Sequence, residues 1–198
     1  MPTLKEPLYV VTGFMRTGTS MMMRALEAGG LDAAYHQSRE EMRLRYADAH
    51  YDPNVGGLYE LAPRQYRQPD FARGYEGRLI KALNMAVPRM AVMPGGIRVV
   101  LMRRDCEEVR QSYLAFFGRY LEVDDLDKRM EGLEQRILNR RDVLSLHVLW
   151  YRDVIGSPGL SFAALERGDW PIDVERAAGV VDPALCRYRL ERLTVGVL

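Results

Sequence analysis

Residues able to do chemistry cluster first at Gly13-Phe14-Met15-Arg16-Thr17-Gly18-Thr19-Ser20. Two glycines with four residues between them let a backbone curl so that its N–H groups point inward. A helix opening at Ser20 adds the partial positive charge of its N-terminus. A phosphate is the guest such a cradle takes; an ordinary glycine turn before a helix is the plainer reading of the same residues. Nucleotide loops of the form Gly-x-x-x-x-Gly-Lys-Ser/Thr place a lysine on the β/γ-phosphates. Here Thr19 stands at that position, and the cation has moved into the loop as Arg16. That departure favours a nucleotide donor other than magnesium-ATP, with the loop around a single phosphate and Arg16 aimed at a neighbouring anionic group.

A second anion site is legible at Arg103-Arg104-Asp105, where an apolar run turns into a helical pattern. Ligands of open α/β sheets bind at that carboxyl edge. Ser112 lies eight residues beyond Arg104. On a helix that is about 80° of rotation at ~100° per residue and a rise of roughly 12 Å. Arg104 and Ser112 therefore reach one phosphate if the arginine stem lies along the helix; pairing of Arg104 with Glu108 is the alternative. For proton transfer there are two candidates. Glu60 follows a Gly56-Gly57 turn, and His50 has a side chain whose ordinary pKa suits a base near neutrality. A merely solvated Glu60 is the competing reading.

The elements that must position these groups alternate along the chain. Leu8–Val11 reads as a buried strand, followed by a helix from Ser20 with Met22, Met23 and Leu26 on one side and a stop at Gly29-Gly30. Leu31–Tyr35 reads as a short second strand. Ser38 opens a polar helix to about His50, with a Glu three residues in. Residues 62–77 show no clear period. Gly77–Leu83 reads as a third strand, and Met85–Val92 as a short helix interrupted at Pro88. Ile97–Met102 is the clearest buried strand. Asp105–Tyr120 then carries Cys106, Val109, Tyr113, Phe116, Phe117 and Tyr120 at helical spacing. Asp124–Arg140 is a charged, exposed helix. Leu144–Trp150 is a fifth strand, Pro158–Arg167 a helix, and Trp170–Asp173 caps a last short helix. This alternation predicts an α/β fold: one three-layer α/β/α domain over residues 1–198, with a central, mainly parallel sheet of about five strands.

Composition excludes several classes. A formal net charge of +1 leaves no basic footprint for nucleic acid. Two cysteines make no disulfide framework and have no metal-ligand spacing, which fits a reducing compartment. His36, His50 and His147 are scattered, so no metal is expected. No apolar run reaches the length of a membrane span, and the N-terminus has no charged-then-apolar leader. A cytoplasmic protein without membrane insertion is the expectation.

Phe14 to Ser20 resembles the 5′-phosphosulfate loop of the sulfotransferases that use 3′-phosphoadenosine 5′-phosphosulfate (PAPS), with Arg16 at their Lys/Arg position. Val99 to Asp105, followed by Ser112-Tyr113, resembles their 3′-phosphate motif. Asp52-Pro53-Asn54 through Tyr59-Glu60, Tyr151-Arg152-Asp153 and Val181 to Arg187 are similar to further segments of a bacterial subgroup. The resemblance implies sulfuryl transfer from PAPS to a hydroxyl or amine of a small or lipid-like acceptor, leaving 3′-phosphoadenosine 5′-phosphate (PAP), without a metal. It implies the 5′-phosphate on residues 17–20, the 3′-phosphate on Arg104 and Ser112, charge stabilisation by Arg16, and Glu60 as base.

The departures from that pattern are specific. Lys81-Ala82-Leu83 occupies the place of a Lys-Thr-His whose His is the base in cytosolic members. Met21 replaces an aromatic that stacks on adenine. A C-terminal Arg-Lys-Gly is missing, with Arg187 or Arg189 as substitutes. The chain is also short, which points to a reduced acceptor pocket or one completed by a partner, a homodimer among the candidates. Two rival readings share the strand–loop–helix: a small-molecule or nucleotide kinase, and a binding module that holds a nucleotide without turnover.

Overall fold

A computed structural model describes residues 5–37, 41, 57, 59–61, 65–68, 70–84, 86–121 and 125–186. Among them are five strands: β1 (Leu8–Gly13), β2 (Ala33–Ala34), β3 (Leu79–Lys81), β4 (Ile97–Arg103) and β5 (Val143–Trp150). They form one sheet in the order β2-β3-β1-β4-β5, and every pairing is parallel. The α/β fold with a parallel sheet of five strands is the one expected. From central β1 the chain goes to the edge strand β2, returns through β3, and then crosses to β4 and β5 on the other side, so the carboxyl end of β1 lies at the point where the direction of the connections reverses. Crevices form there because the connections on either side leave in opposite directions.

The buried runs explain why these strands form. Leu8 and Val10 of β1 face one core, with Ile80, Ile97, Val99, Leu101, Leu133 and Ile137. Tyr9 and Val11 face the other, with Met22, Met23, Leu26, Val154, Phe162, Leu165 and Trp170. Period-2 alternation thus feeds two apolar layers, and helices cover both faces. The covering helices are α1 (Thr19–Ala28), α2 (Phe71–Tyr75), α3 (Ala86–Arg89), α4 (Cys106–Phe117), α5 (Leu126–Leu138), α6 (Tyr151–Gly156), α7 (Pro158–Glu166) and α8 (Val174–Gly179). The methionines of α1 are core, at 0% exposure for Met22 and Met23.

Some expectations need correcting. Pro88 lies within α3 and does not interrupt it, because a first-turn proline gives up an N–H that has no helical partner anyway. Helix α4 ends at Gly118, whose φ of 66° gives a left-handed cap, so Tyr120 falls beyond it and is 74% exposed. Helix α5 buries Leu126, Met130, Leu133 and Ile137 at three- and four-residue spacing, so its charged residues line only the outer side. Residues 62–77 hold two short helical turns, Gln65–Arg67 and α2. The helix expected from Ser38, most of the 51–58 loop, His50, Arg187 and Arg189 lie outside the described residues.

Candidate active site

The loop between β1 and α1 is shaped by its glycines. Gly13 has φ 154°, and a Cβ there would meet Thr17 Oγ1 at 2.6 Å and the Met102 carbonyl at 2.7 Å. Gly18 has φ 94°, and a Cβ there would run into the Tyr151 ring. Arg16 holds a left-handed φ of 70° between them, a conformation that costs a non-glycine residue of order 1–3 kcal/mol. The Thr17 hydroxyl donates to the Phe14 carbonyl at 2.8 Å, so it closes the loop from within. Thr17 and Thr19 are buried, and Ser20 is the partly exposed hydroxyl at the helix start.

Arg16 reaches across to the other predicted anion site. Its Nε donates to Ser112 Oγ at 3.0 Å, and its guanidinium lies 4.8 Å from the Phe116 ring centre. Arg104 turns back toward the loop and donates from Nη1 to the Arg16 carbonyl at 3.3 Å. The two motifs, about 90 residues apart in sequence, thus share hydrogen bonds. Arg104 also makes the alternative ion pair, with Nε 2.8 Å from Glu108 Oε2. Arg104 is 6% exposed and sits 4.2 Å above the Tyr151 ring. Burial pushes the Tyr151 phenol well above its ordinary pKa, against the lowering effect of Arg104. The ring is therefore a neutral platform that packs on Gly18 and carries Arg104. Asp105 caps α4 by accepting from Glu107 N and Glu108 N, which fixes the turn that aims Arg104.

Sequence reasoning passed over Lys81 as a site residue. It ends β3, is 2% exposed, and donates from Nζ to Ser20 Oγ at 3.0 Å. Thr19 leaves the loop without a cation at the start of α1, and the sheet supplies one from a neighbouring strand. The signal was a lysine inside the apolar run Leu79-Ile80-Lys81-Ala82, since lysine is almost never fully buried unless paired. Its partner is Glu60, whose Oε1 lies 3.7 Å away. Glu60 forms an isolated parallel bridge to Lys81, and its carbonyl accepts from His36 N at 2.9 Å. Tyr59, with φ 56°, turns the chain into that bridge. The Tyr66 hydroxyl donates to the Lys81 carbonyl at 2.8 Å and locks the strand end.

One hydroxyl (Ser20), one carboxylate (Glu60) and one ammonium (Lys81) thus stand beside a loop whose cation contacts a second hydroxyl, Ser112. Such a set can hold anionic oxygens and, through Glu60, accept a proton. Cys106 is no nucleophile here: burial and the Asp127 carboxylate, 3.0 Å away, push its thiol up to about 12.

No protein-family model and no curated protein sequence matches the chain. Among solved structures it is similar to the sulfotransferase STF1 from Mycobacterium tuberculosis H37Rv, at 14% identity over 96% of this chain and 76% of that one, with a TM-score of 0.52. A sugar kinase from Janibacter sp. HTCC2649 matches at 15% identity over 91% of this chain and 98% of that chain, with a TM-score of 0.47. Retinol dehydratase in complex with androsterone and the inactive cofactor PAP matches at 14% identity over 88% of this chain and 64% of that one, with a TM-score of 0.43. The last two are too distant to carry an argument. At these identities the likeness to STF1 is one of fold, and this chain shares with that sulfotransferase its α/β architecture.

Proposed function

We propose that the chain is a sulfotransferase that moves a sulfuryl group from PAPS to a hydroxyl or amine acceptor. The observation that carries this reading is the contact between the two anion-binding motifs, Arg16 Nε to Ser112 Oγ at 3.0 Å. A nucleotide with one phosphate at a loop and another at the start of a neighbouring helix needs those motifs within reach of each other. The cradle fits an anion: Gly13 and Gly18 exclude side chains, α1 begins there, and Arg16 and Lys81 border it. When bound, PAPS supplies the sulfuryl group and a phosphate leaving group.

In this reading Glu60 removes the acceptor proton. Lys81, 3.7 Å from that carboxylate and 3.0 Å from Ser20 Oγ, neutralises charge developing on the transferring oxygens. Groups held in place before reaction cost no reorganisation, which makes such stabilisation the largest contribution to rate in many enzymes. Ser112 and Arg104 orient the 3′-phosphate. The acceptor is small or lipid-like.

The test is a set of thermal melts with nucleotides. PAP is expected to raise Tm more than AMP, with no effect of magnesium. At ligand 100-fold above its dissociation constant, the stabilisation is about 2.7 kcal/mol. A larger shift with magnesium-ATP would move the reading to phosphoryl transfer, for which Lys81 is a suitable cation. Binding of PAP with no turnover on any acceptor panel would leave a nucleotide-binding module.

A further inference from the structure

Tyr59 stands in a left-handed conformation, φ 56°, that a bulky aromatic residue rarely takes. What the turn achieves is to set the direction of two side chains. Neighbours along an extended chain point to opposite sides of a sheet. Tyr59 and Glu60 nevertheless both lie on the α1 side. The Tyr59 ring is buried in the same core as Met22 and Met23 of that helix. The Glu60 carboxylate lies 3.7 Å from Lys81 Nζ, which donates to Ser20 of the same helix. Leu61 returns to the alternation and enters the opposite core. The turn also places Glu60 in the sheet where β2 leaves off. Ala33 and Ala34 pair with Leu79 and Ile80, but Glu60 stands beside Lys81, and the His36 N–H donates to the Glu60 carbonyl at 2.9 Å.

A strained turn persists only where its surroundings hold it. One of those holding contacts is directional: the Tyr59 hydroxyl donates to Glu27 Oε2 at 2.8 Å. A hydrogen bond to a carboxylate is stronger than one between neutral groups. Glu27 lies seven residues after Ser20 on α1, so both fall on one face, about 10 Å apart along the axis. We infer that Tyr59 is a positioning residue and Glu27 its anchor: the bond between them fixes the turn that seats the Glu60 carboxylate beside Lys81 and Ser20. For the reaction, this rests on Glu60 being the base, as proposed above. Helix α1 thus holds this side of the site at two points, through Ser20 to Lys81 at its start and through Glu27 to Tyr59 near its end. The Tyr35 ring, T-shaped to Tyr59 with centres 5.7 Å apart, packs on the turn from the end of β2.

Amide hydrogen exchange of the full chain reads the seat of Glu60 directly, through the His36 N–H that its carbonyl accepts. Tyr59→Phe keeps the ring and removes the hydroxyl; Glu27→Ala removes the acceptor at an exposed helix position. Each is expected to speed exchange at His36 about tenfold through easier local opening. The Gly118 amide, bonded to Leu114 at the far end of α4, is expected to stay unchanged. The double variant is expected to exchange no faster than either single one, since both remove the same bond. Glu27→Gln restores an acceptor oxygen and is expected to recover most of the protection. On an acceptor that the wild type turns over, Tyr59→Phe is expected to lower kcat about tenfold with PAP affinity unchanged, because a displaced base slows chemistry and not binding. Wild-type exchange at His36 in both variants, or effects that add, overturns the anchor whatever the enzyme does. An unchanged kcat in Tyr59→Phe, where Glu60→Gln abolishes turnover, overturns the positioning role. Faster exchange in both variants, with turnover indifferent to Glu60→Gln, upholds the anchor and overturns Glu60 as base.

Discussion

Ser112 and Arg104 share one expected role, but their surroundings make them unequal probes of it. Arg104 is held by Glu108, and removing one member of a buried ion pair costs about 3–5 kcal/mol because the other charge is left unpaired. Arg104→Ala is therefore expected to lower Tm sharply, whatever the ligand does. Arg104→Ala combined with Glu108→Gln removes the stranded charge and is expected to recover most of that stability. Ser112→Ala loses one hydrogen bond to a charged group, worth roughly 1.5–3 kcal/mol. It is expected to weaken PAP about tenfold or more while leaving AMP nearly unchanged, as titration calorimetry can read. Equal losses for both ligands would remove Ser112 from the 3′-phosphate. Glu60→Gln keeps the shape and removes the base, so turnover is expected to fall about 10²–10⁴-fold with PAP binding retained. His50→Ala on the same acceptor is the comparison: loss there, with near-normal turnover in the glutamine variant, would hand the role to His50.

At the scale of elements, the junction of β1 and α1 is held by contacts between remote pieces of chain. Gly18 touches Tyr151 at the start of α6, and Tyr151 in turn carries Arg104 at the end of β4. Gly18→Ala therefore meets two costs. A left-handed φ costs an L-residue about 1–2 kcal/mol, and pushing a methyl into a packed ring costs about 1–3 kcal/mol more. Gly30→Ala is the matched control, since Gly30 also has a positive φ, 110°, but a Cβ there would meet nothing within 4 Å. Gly18→Ala is expected to lose more stability than Gly30→Ala and to lose PAP binding as well. Similar Tm losses and intact binding in both would mean that Tyr151 yields easily and does not brace the loop.

For the whole molecule, acid stability has an identifiable source at the back of the sheet. His147 lies on β5 beside Gly168, with the Arg98 guanidinium of β4 nearby, donating to the Gly168 carbonyl and pairing with Asp169. Among the described residues His147 Nε2 has no hydrogen-bond partner. Burial, and then Arg98, lower its pKa. The unfolded chain then binds the proton first as pH falls below about 6.5. Stability is fully present above that value and is lost as pH drops toward the folded-state pKa. In dilute protein, His147→Gln is expected to flatten the fall of Tm below about pH 6.5 relative to wild type. Parallel Tm curves for the two proteins would place the acid sensitivity elsewhere.

The alternation of apolar runs with helical periods, the glycine loop and the Arg-to-Ser interval of α4 are all legible in the sequence. Each is a local matter of period, cap or turn, and the parallel sheet follows from that alternation because crossover helices must cover both faces. Local pattern could not reveal what meets across the fold. Whether Arg104 faces Glu108, the loop or both depends on the Asp105 cap that opens α4 and on the Tyr151 ring against its guanidinium. The exposed faces of α4 and α5 differ from expectation because a glycine cap and the packing of α5 on the sheet, not helical period alone, decide which side chains reach water. Lys81 was hidden for the same reason. Its identity was plain, but only the parallel bridge between Glu60 and β3, together with the seating of α1, brings an ammonium, a carboxylate and Ser20 to one place. A sequence records each charge; the neighbours that let it be buried come from strands distant in the chain.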